Sequence, residues 1–566
     1  VMRRPAQLRR PAAFDLPTPQ TAKTTSFSAP VGGWIKNQDL SKPGARMPDG
    51  SRVNGAFVLE NIFPTATGAR MRGGSALYAQ IGDSKLDVIS MFAYVNGNNK
   101  KLFAATVNGI SDVTTAQTSA PLVFLVDELG NSLVDEIGNF LVDATNGTAT
   151  AAVSGFTSGD WSVVQFATPG GVFLRCVNGA DAPQVYDGTN FSTSPAITGV
   201  TPSLLSYVWV HQRRIFFVKR DSLSAYYLAA DAIGGAATEI PLGGVFSRGG
   251  SLLFGSSWSL ETGNGLSEQC VFVTTEGEVA VFQGTDPGSA STWSKVGVYR
   301  IGKPLGAKSH IRAGGDLVIA TDIGFVPLSQ AVQRDFSALS PSAVSYPIET
   351  AWNEAVAGRA FAGWPCEVWP TKQMVLVAPP ANDGNSPVLF VANARTGAWG
   401  LYTGWDVNCL QLFGDRLFFG SSQGKIIEAE VGGADQGLPY TASCVWLFDP
   451  LKTPLTLKIS QLMRAVIRAP SEVTPQLSLQ ADYAVSLPTV PDAVKVTGAA
   501  VWGAAIWGES LWGTTATKQV YQQWQSVGGA GYAIAPGLQI TSGSLIGPDI
   551  ELVRIDVTYD LGAIGS

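Results

Sequence analysis

The chain has 566 residues, more than one ordinary hydrophobic core organises, so two or more domains are expected. Hydrophobic residues make up 45% and charged residues 14%, yet no run reaches the roughly 18 uninterrupted apolar residues of a bilayer span. The net charge of −6 is opposite to the basic balance of proteins that grip nucleic acid sequence-specifically, and so low a charge density implies neutral faces suited to being covered by neighbours.

The 63 glycines and 33 prolines, set among 15 Trp, 26 Phe and 14 Tyr, describe many short strands joined by tight turns. Helical segments are few and short, around Leu228–Ile233, Leu328–Phe336 and Glu349–Val356. The five cysteines (Cys176, Cys270, Cys366, Cys409, Cys444) are widely scattered and fit neither a disulfide framework nor a zinc knuckle. They read as small buried hydrophobes in a chain assembled in a reducing compartment.

Residues 1–55 read as an extended basic arm. Between Val1 and Arg46 eight Lys and Arg face only Asp15 and Asp39, and prolines interrupt any long element. The first residues lack the apolar stretch of a secretory signal. Arg3, Arg4, Arg9 and Arg10 are the candidate contacts to another subunit or to DNA.

Residues 56–440 read as a β-propeller-like core. Apolar strands, glycine-containing turns and strands ending on aromatics recur, as in Gly171–Val177, the Asn178-Gly179 turn and Gln184–Gly188. Further such runs are Tyr207–His211, Arg214–Val218, Cys270–Thr274, Glu278–Phe282 and Arg416–Gly420. Within this core, residues 121–148 carry a period-eight repeat, Leu125-Val-Asp-Glu-Leu-Gly-Asn131, Leu133-Val-Asp-Glu-Ile-Gly-Asn139 and Leu141-Val-Asp143. It lacks the glycine spacing of calcium-binding β-helices and reads as a local insertion.

Residues 441–566 read as a C-terminal β domain. It contains Val501-Trp-Gly503, Ile506-Trp-Gly508 and Leu511-Trp-Gly513, a period of five that fits neither helix nor strand and suggests turns that each bury one Trp. Trp502, Trp507 and Trp512 are also the candidate contacts to a partner or a glycan.

Little in the sequence supports chemistry. Only His211 and His310 are present, and no Gly-x-Ser-x-Gly elbow accompanies them. Gly297-Val-Tyr-Arg-Ile-Gly302-Lys303 has phosphate-loop spacing, but Pro304 replaces the hydroxyl that would hold magnesium and removes an N–H from the following turn. Glu261, Glu268, Asp286, Asp316 and Asp322 are the acids near turns that a propeller glycosidase would need in pairs. No cofactor, metal or catalytic set is expected.

Several phrases together resemble a known family. They include Ala56-Phe-Val-Leu-Glu-Asn-Ile-Phe-Pro64 with Arg70-Met-Arg-Gly-Gly74, and Val177-Asn-Gly-Ala-Asp-Ala-Pro-Gln-Val-Tyr-Asp-Gly188. They continue through Gly284-Thr-Asp-Pro-Gly288, Val391-Ala-Asn393 with Thr396-Gly-Ala-Trp399, and the Trp-Gly series. In these the chain resembles the tail nozzle proteins (tail tubular protein B-like) of short-tailed bacteriophages. The resemblance implies a non-enzymatic virion subunit assembled in the host bacterial cytoplasm. It would form a homohexameric ring beneath the tail adaptor ring, with tail fibres or spikes at its side and genomic DNA passing through its lumen without sequence specificity. A host-surface glycan-binding tail protein and a propeller glycosidase are the alternatives.

Overall fold

The computed structural model describes residues 22–47, 50, 53–82, 86–116, 123–124, 142–143, 149, 151–261, 266–359, 363–381, 386–494, 517–543 and 547–564. Strand accounts for 52% of the residues and helix for 7%, so the chain is all-β, and its centre is a β-propeller.

Six antiparallel blades of four strands make the ring, five of them separate sheets and one, the fifth, the end of a nine-stranded sheet. The first spans residues 90–154, the second 162–192, the third 205–241, the fourth 252–300 and the fifth 366–403. The sixth joins Cys409–Phe413, Arg416–Gly420 and Lys425–Ala429 to a strand from far upstream, Ser75–Gln80. That shared blade closes the ring, and Gln80 Nε2 also donates to the Gln423 carbonyl, 343 positions along the chain. A three-stranded sheet, His310–Ala313, Asp316–Thr321 and Gly324–Pro327, sits between the fourth and fifth blades.

Most blade strands are buried on both faces, which is why they read as continuous apolar runs. In Leu266–Thr274, Cys270 and Phe272 pack with Trp209 and Phe216 of the third blade. Val271 and Val273 point the opposite way and pack with Leu317 and Ile319 of the three-stranded sheet. The period-two geometry of one strand thus serves two neighbouring interfaces.

The first described strands, β1 (Lys23–Ser28), β2 (Ala56–Glu60), β3 (Ile62–Pro64) and β4 (Ala69–Met71), do not belong to the propeller. β1 and β4 pair with the long strand Glu551–Ile564, and β3 pairs with β4. Glu551–Ile564 also pairs with Thr456–Ala469, completing one sheet of a sandwich. β2 joins the other sheet, between Trp399–Thr403 of the fifth blade and Tyr440–Trp446. Met463, Ile467, Ile555 and Val557 from the first sheet meet Cys444, Leu538 and Ile540 from the second in one core.

The sequence-based division at residues 55 and 56 is therefore corrected. Propeller strands run from Ser75 to Ala429, and the strands before them are sandwich strands, because Ala56, Leu59 and Ile62 are buried in the sandwich core. Residues 22–47 are also more than an arm, since Trp34 and Ile35 are buried. The period-eight insertion lies in the connection between the third and fourth strands of the first blade. Val123–Phe124 there pairs with Val142–Asp143, and the remaining repeat residues lie outside the described set.

Of the short helices expected, Glu349–Gly358 forms as read, and Leu328–Gln333 forms with a separate 3-10 turn at Phe336–Ala338. The segment Leu228–Ile233 is a turn. Asp231 there adopts a φ of 57°, incompatible with a helix, and its carboxylate accepts from Arg213 Nε at 2.9 Å.

Trp399 ties propeller to sandwich. Its side chain is fully buried, its Nε1 donates to the Val344 carbonyl at 2.9 Å, and its ring lies 6.2 Å from those of Trp352 and Phe325. Gly33 touches its backbone so closely that a Cβ would come within 2.4 Å of the Trp399 carbonyl oxygen. Trp399→Ala is expected to cost about 3–5 kcal/mol in urea denaturation. Trp399→Phe, which keeps an aromatic ring but orphans the Val344 carbonyl, should cost less than the alanine change, though at least about 1–3 kcal/mol for the lost hydrogen bond.

Candidate functional site

The acids singled out from the sequence do not converge. Glu268 accepts from Gln212 Nε2 at 3.1 Å, and Asp286 pairs with Arg214 at 3.3 Å. Asp316 accepts from Trp258 Nε1 at 3.0 Å and from the Ser329 hydroxyl at 2.6 Å. Asp322 accepts from the Lys303 N–H at 2.8 Å, and burial raises its pKa. Each is committed to a local structural partner. The Glu261 side chain lies outside the described set.

The histidines are also structural. Burial lowers the His211 pKa and keeps the ring neutral. Its Nε2 lies 3.3 Å from the Gly284 carbonyl oxygen and its Nδ1 2.9 Å from the Ser257 hydroxyl oxygen, and that hydroxyl donates to the Val210 carbonyl at 3.0 Å. This Ser–His contact has the atoms of a nucleophile and its base, but Ser257 is 4% exposed and His211 1%, which leaves no approach for a substrate. His310 stacks on Phe254 with centroids 4.2 Å apart, and burial pushes its pKa down to about 4. The cysteines are free, and no group of three or more His, Cys, Asp or Glu among the described residues is placed to hold a metal ion. Gly297 lies inside the outer strand of the fourth blade with no helix after it, so the phosphate-loop spacing has no phosphate-loop fold.

Sequence reasoning missed two charged residues. Glu367 lies on the innermost strand of the fifth blade, and burial pushes its carboxyl up to about 7 against the small relief of one Val368 N–H. The signal was a single acid in an otherwise apolar strand, Cys366-Glu-Val-Trp369.

The second is Arg72, whose side chain is fully buried where blade closure meets the sandwich. All five of its N–H groups have acceptors. Nε donates to Asn61 Oδ1 at 2.8 Å, Nη1 to the Gly73 carbonyl at 2.9 Å and Asp435 Oδ1 at 3.0 Å, and Nη2 to the Thr403 carbonyl at 3.1 Å and Asp435 Oδ2 at 2.6 Å. The guanidinium also lies 3.8 Å from the Tyr440 ring centroid and 4.7 Å from that of Trp405. This bidentate, stacked arrangement requires Arg and fastens strands of the fifth blade, the sixth blade and the sandwich at one point.

The surface is uneven. Ten of the fourteen exposed large hydrophobic side chains among the described residues lie at or after Leu438, in the sandwich, and four lie in the propeller segment before it. On the outer face of the longer sandwich sheet Ile459, Leu462 and Trp524 are each about two-fifths exposed, with Arg464 4.7 Å from the Trp524 ring. At one end of the sandwich, three loops carry Leu455, Tyr483 and Tyr532 outward. Lys458 donates to the Tyr532 carbonyl at 2.7 Å and also to the Thr453 carbonyl, and Asp482 accepts from the Tyr532 N–H at 2.8 Å. The exposed side chains therefore sit on loops that are tied to one another. Trp502, Trp507 and Trp512, and Arg3, Arg4, Arg9 and Arg10, lie outside the described residues. No helix among the described residues is long and apolar enough to cross a membrane.

No protein-family model matches the chain, and no curated protein matches it. Among solved structures, the computationally designed Ika8 protein aligns at 12% identity over 63% of this chain and 100% of its own, with a TM-score of 0.32. BBS1N in complex with ARL6DN aligns at 8% identity over 64% of this chain and 97% of its own, with a TM-score of 0.36. A glycoside hydrolase family 43 arabinoxylan arabinofuranohydrolase from Bacillus subtilis aligns at 10% identity over 86% of this chain and 99% of its own, with a TM-score of 0.25. At these scores none of the three bears on function.

Two measurements probe the buried charges. Arg72→Met, which leaves Asp435 without its counter-ion, is expected to cost about 3–5 kcal/mol, and adding Asp435→Asn should recover part of that loss. Glu367 has a folded pKa raised from 4.5 to about 7, so its contribution is fully present below pH 4.5 and is lost as pH rises through 7. Glu367→Gln should remove a loss on the order of 3 kcal/mol between those limits, read from unfolding free energies at pH 4 and pH 8.5.

Proposed function

We propose that the chain is a structural subunit of a bacteriophage tail nozzle. It forms a ring with copies of itself, meets the adaptor ring and the tail fibres or spikes, and conducts genomic DNA without reading its sequence. The observation that carries the reading is the concentration of exposed apolar side chains on the sandwich, while the propeller surface carries few. A monomer gains nothing from such a patch, whereas an assembly buries it. Glu268, Asp286, Asp316 and Asp322 are each taken up by local structural partners, which favours assembly over chemistry. The net charge of −6 suits a tube through which a polyanion must slide and not stick.

Sixfold particles are expected when the purified chain is imaged by electron microscopy or weighed by native mass spectrometry. A chain that remains monomeric at all concentrations sinks the proposal. Leu462→Asp combined with Trp524→Ala should weaken self-association at least tenfold in sedimentation. Both side chains are more than half covered within the chain, so unfolding free energies are measured alongside, and weakened association counts only for a variant that remains folded.

A further inference from the structure

Among the described residues β1 is a lightly protected edge strand. It pairs there with Glu551–Ile564 alone, contains no proline or bulge, and carries one charge, Lys23, at its end. The Ala29 N–H donates to the Val553 carbonyl, so the odd residues of β1 face that partner and Thr24, Ser26 and Ser28 turn their backbone groups outward. Trp446 Nε1 caps the outward Ser28 carbonyl at 2.7 Å. Beside this edge runs a groove of about 680 Å³, lined by Phe27, Val53, Trp446 and Phe448 among others. A solvent-facing strand edge flanked by a groove is the arrangement by which sheets accept an added strand.

Residues 1–21 have the pattern of a strand that pairs on one side. Their four prolines, Pro5, Pro11, Pro17 and Pro19, all fall at odd positions, while Leu8, Phe14 and Leu16 fall at even ones. In an extended chain both the hydrogen-bonding edge and the side-chain face alternate with residue parity. The missing donors therefore collect on one edge, and the even residues from Ala6 to Leu16 keep an intact edge and a face that is apolar but for Arg10. The segment leads directly into β1. Folding it back onto β1 of the same chain would need a turn at Gln20-Thr21-Ala22, which has none of the Gly, Asn or Asp that tight hairpins require. Extended, it reaches up to ~70 Å, enough to cross to an adjacent copy.

We infer that β1 and its groove are the acceptor for residues 1–21 of a neighbouring copy, added as a strand to the free edge. The inference rests on the ring proposed above and names the contact that links its members. Full-length chains carrying a photo-reactive benzoylphenylalanine at position 14 are assembled from a mixture of unlabelled and nitrogen-15-labelled protein, irradiated and mapped by mass spectrometry. Cross-links should join light to heavy chains and land on residues 24–28 or 446–450. Thr24→Pro removes an outward N–H and leaves the ladder to Glu551–Ile564 intact, so it should lower the cross-link yield at least tenfold. Leu16→Asp, on the donor segment itself, should do the same. Cross-links confined to single chains, landing elsewhere on the neighbour, landing on a different protein, or unaffected by both substitutions overturn the inference. A sixfold ring with cross-links elsewhere overturns this contact alone, whereas a chain that never self-associates overturns the nozzle proposal together with it.

Discussion

A buried guanidinium must find five acceptors or cost several kcal/mol, and Arg72 finds them only where three parts of the chain meet. Asn61 lies at the turn between two sandwich strands, Thr403 at the end of the fifth blade, and Asp435 just beyond the sixth. Asp435 is itself held by the Ser75 hydroxyl at 3.0 Å and Trp405 Nε1 at 2.9 Å. Any rotation of the sandwich on the propeller would strand one of these groups. The bond set therefore fixes the orientation of the two units as well as closing the ring, a demand that apolar packing, which has no direction, does not make.

The same reasoning separates what was legible in the sequence from what was not. Blade strands were readable because both of their faces are buried, giving runs such as Cys270-Val-Phe-Val-Thr274 between glycine turns. The membership of β2 to β4 was not readable. Ala56-Phe-Val-Leu-Glu60 has the same apolar pattern as a blade strand, and only the pairing with Tyr440–Trp446, almost 400 residues away, assigns it to the sandwich. Leu228–Ile233 misled because its Leu-Ala-Ala composition favours helix, while the Arg213–Asp231 contact holds it in a turn. Arg72 and Glu367 carried no motif. The importance of a lone charge in an apolar segment lies in its partners, which local sequence does not list.

The polar interior also bears on what kind of protein this is. Ser257, His211, Asp316 and Asp322 are side chains of the types that catalytic sites use, and each fastens one strand or turn to another. The ordering of these groups produces a rigid shell. The tied loops around Lys458 and Asp482 extend that ordering to the surface, so the loops that carry exposed apolar side chains there have little conformational entropy left to lose on being covered.

Strand pairing in this chain has a consequence in time. The sixth blade needs both Ser75–Gln80 and Lys425–Ala429, and β1 becomes part of a sheet only when Glu551–Ile564 exists to hold it. On a ribosome the first of these segments must wait for most of the polypeptide, and the second for nearly all of it. A product that stops before Lys425 therefore lacks the closing pairing of the sixth blade, and one that stops before Glu551 lacks the strand that holds β1. These long sequence separations slow folding and defer ring closure and the seating of β1 to late in synthesis.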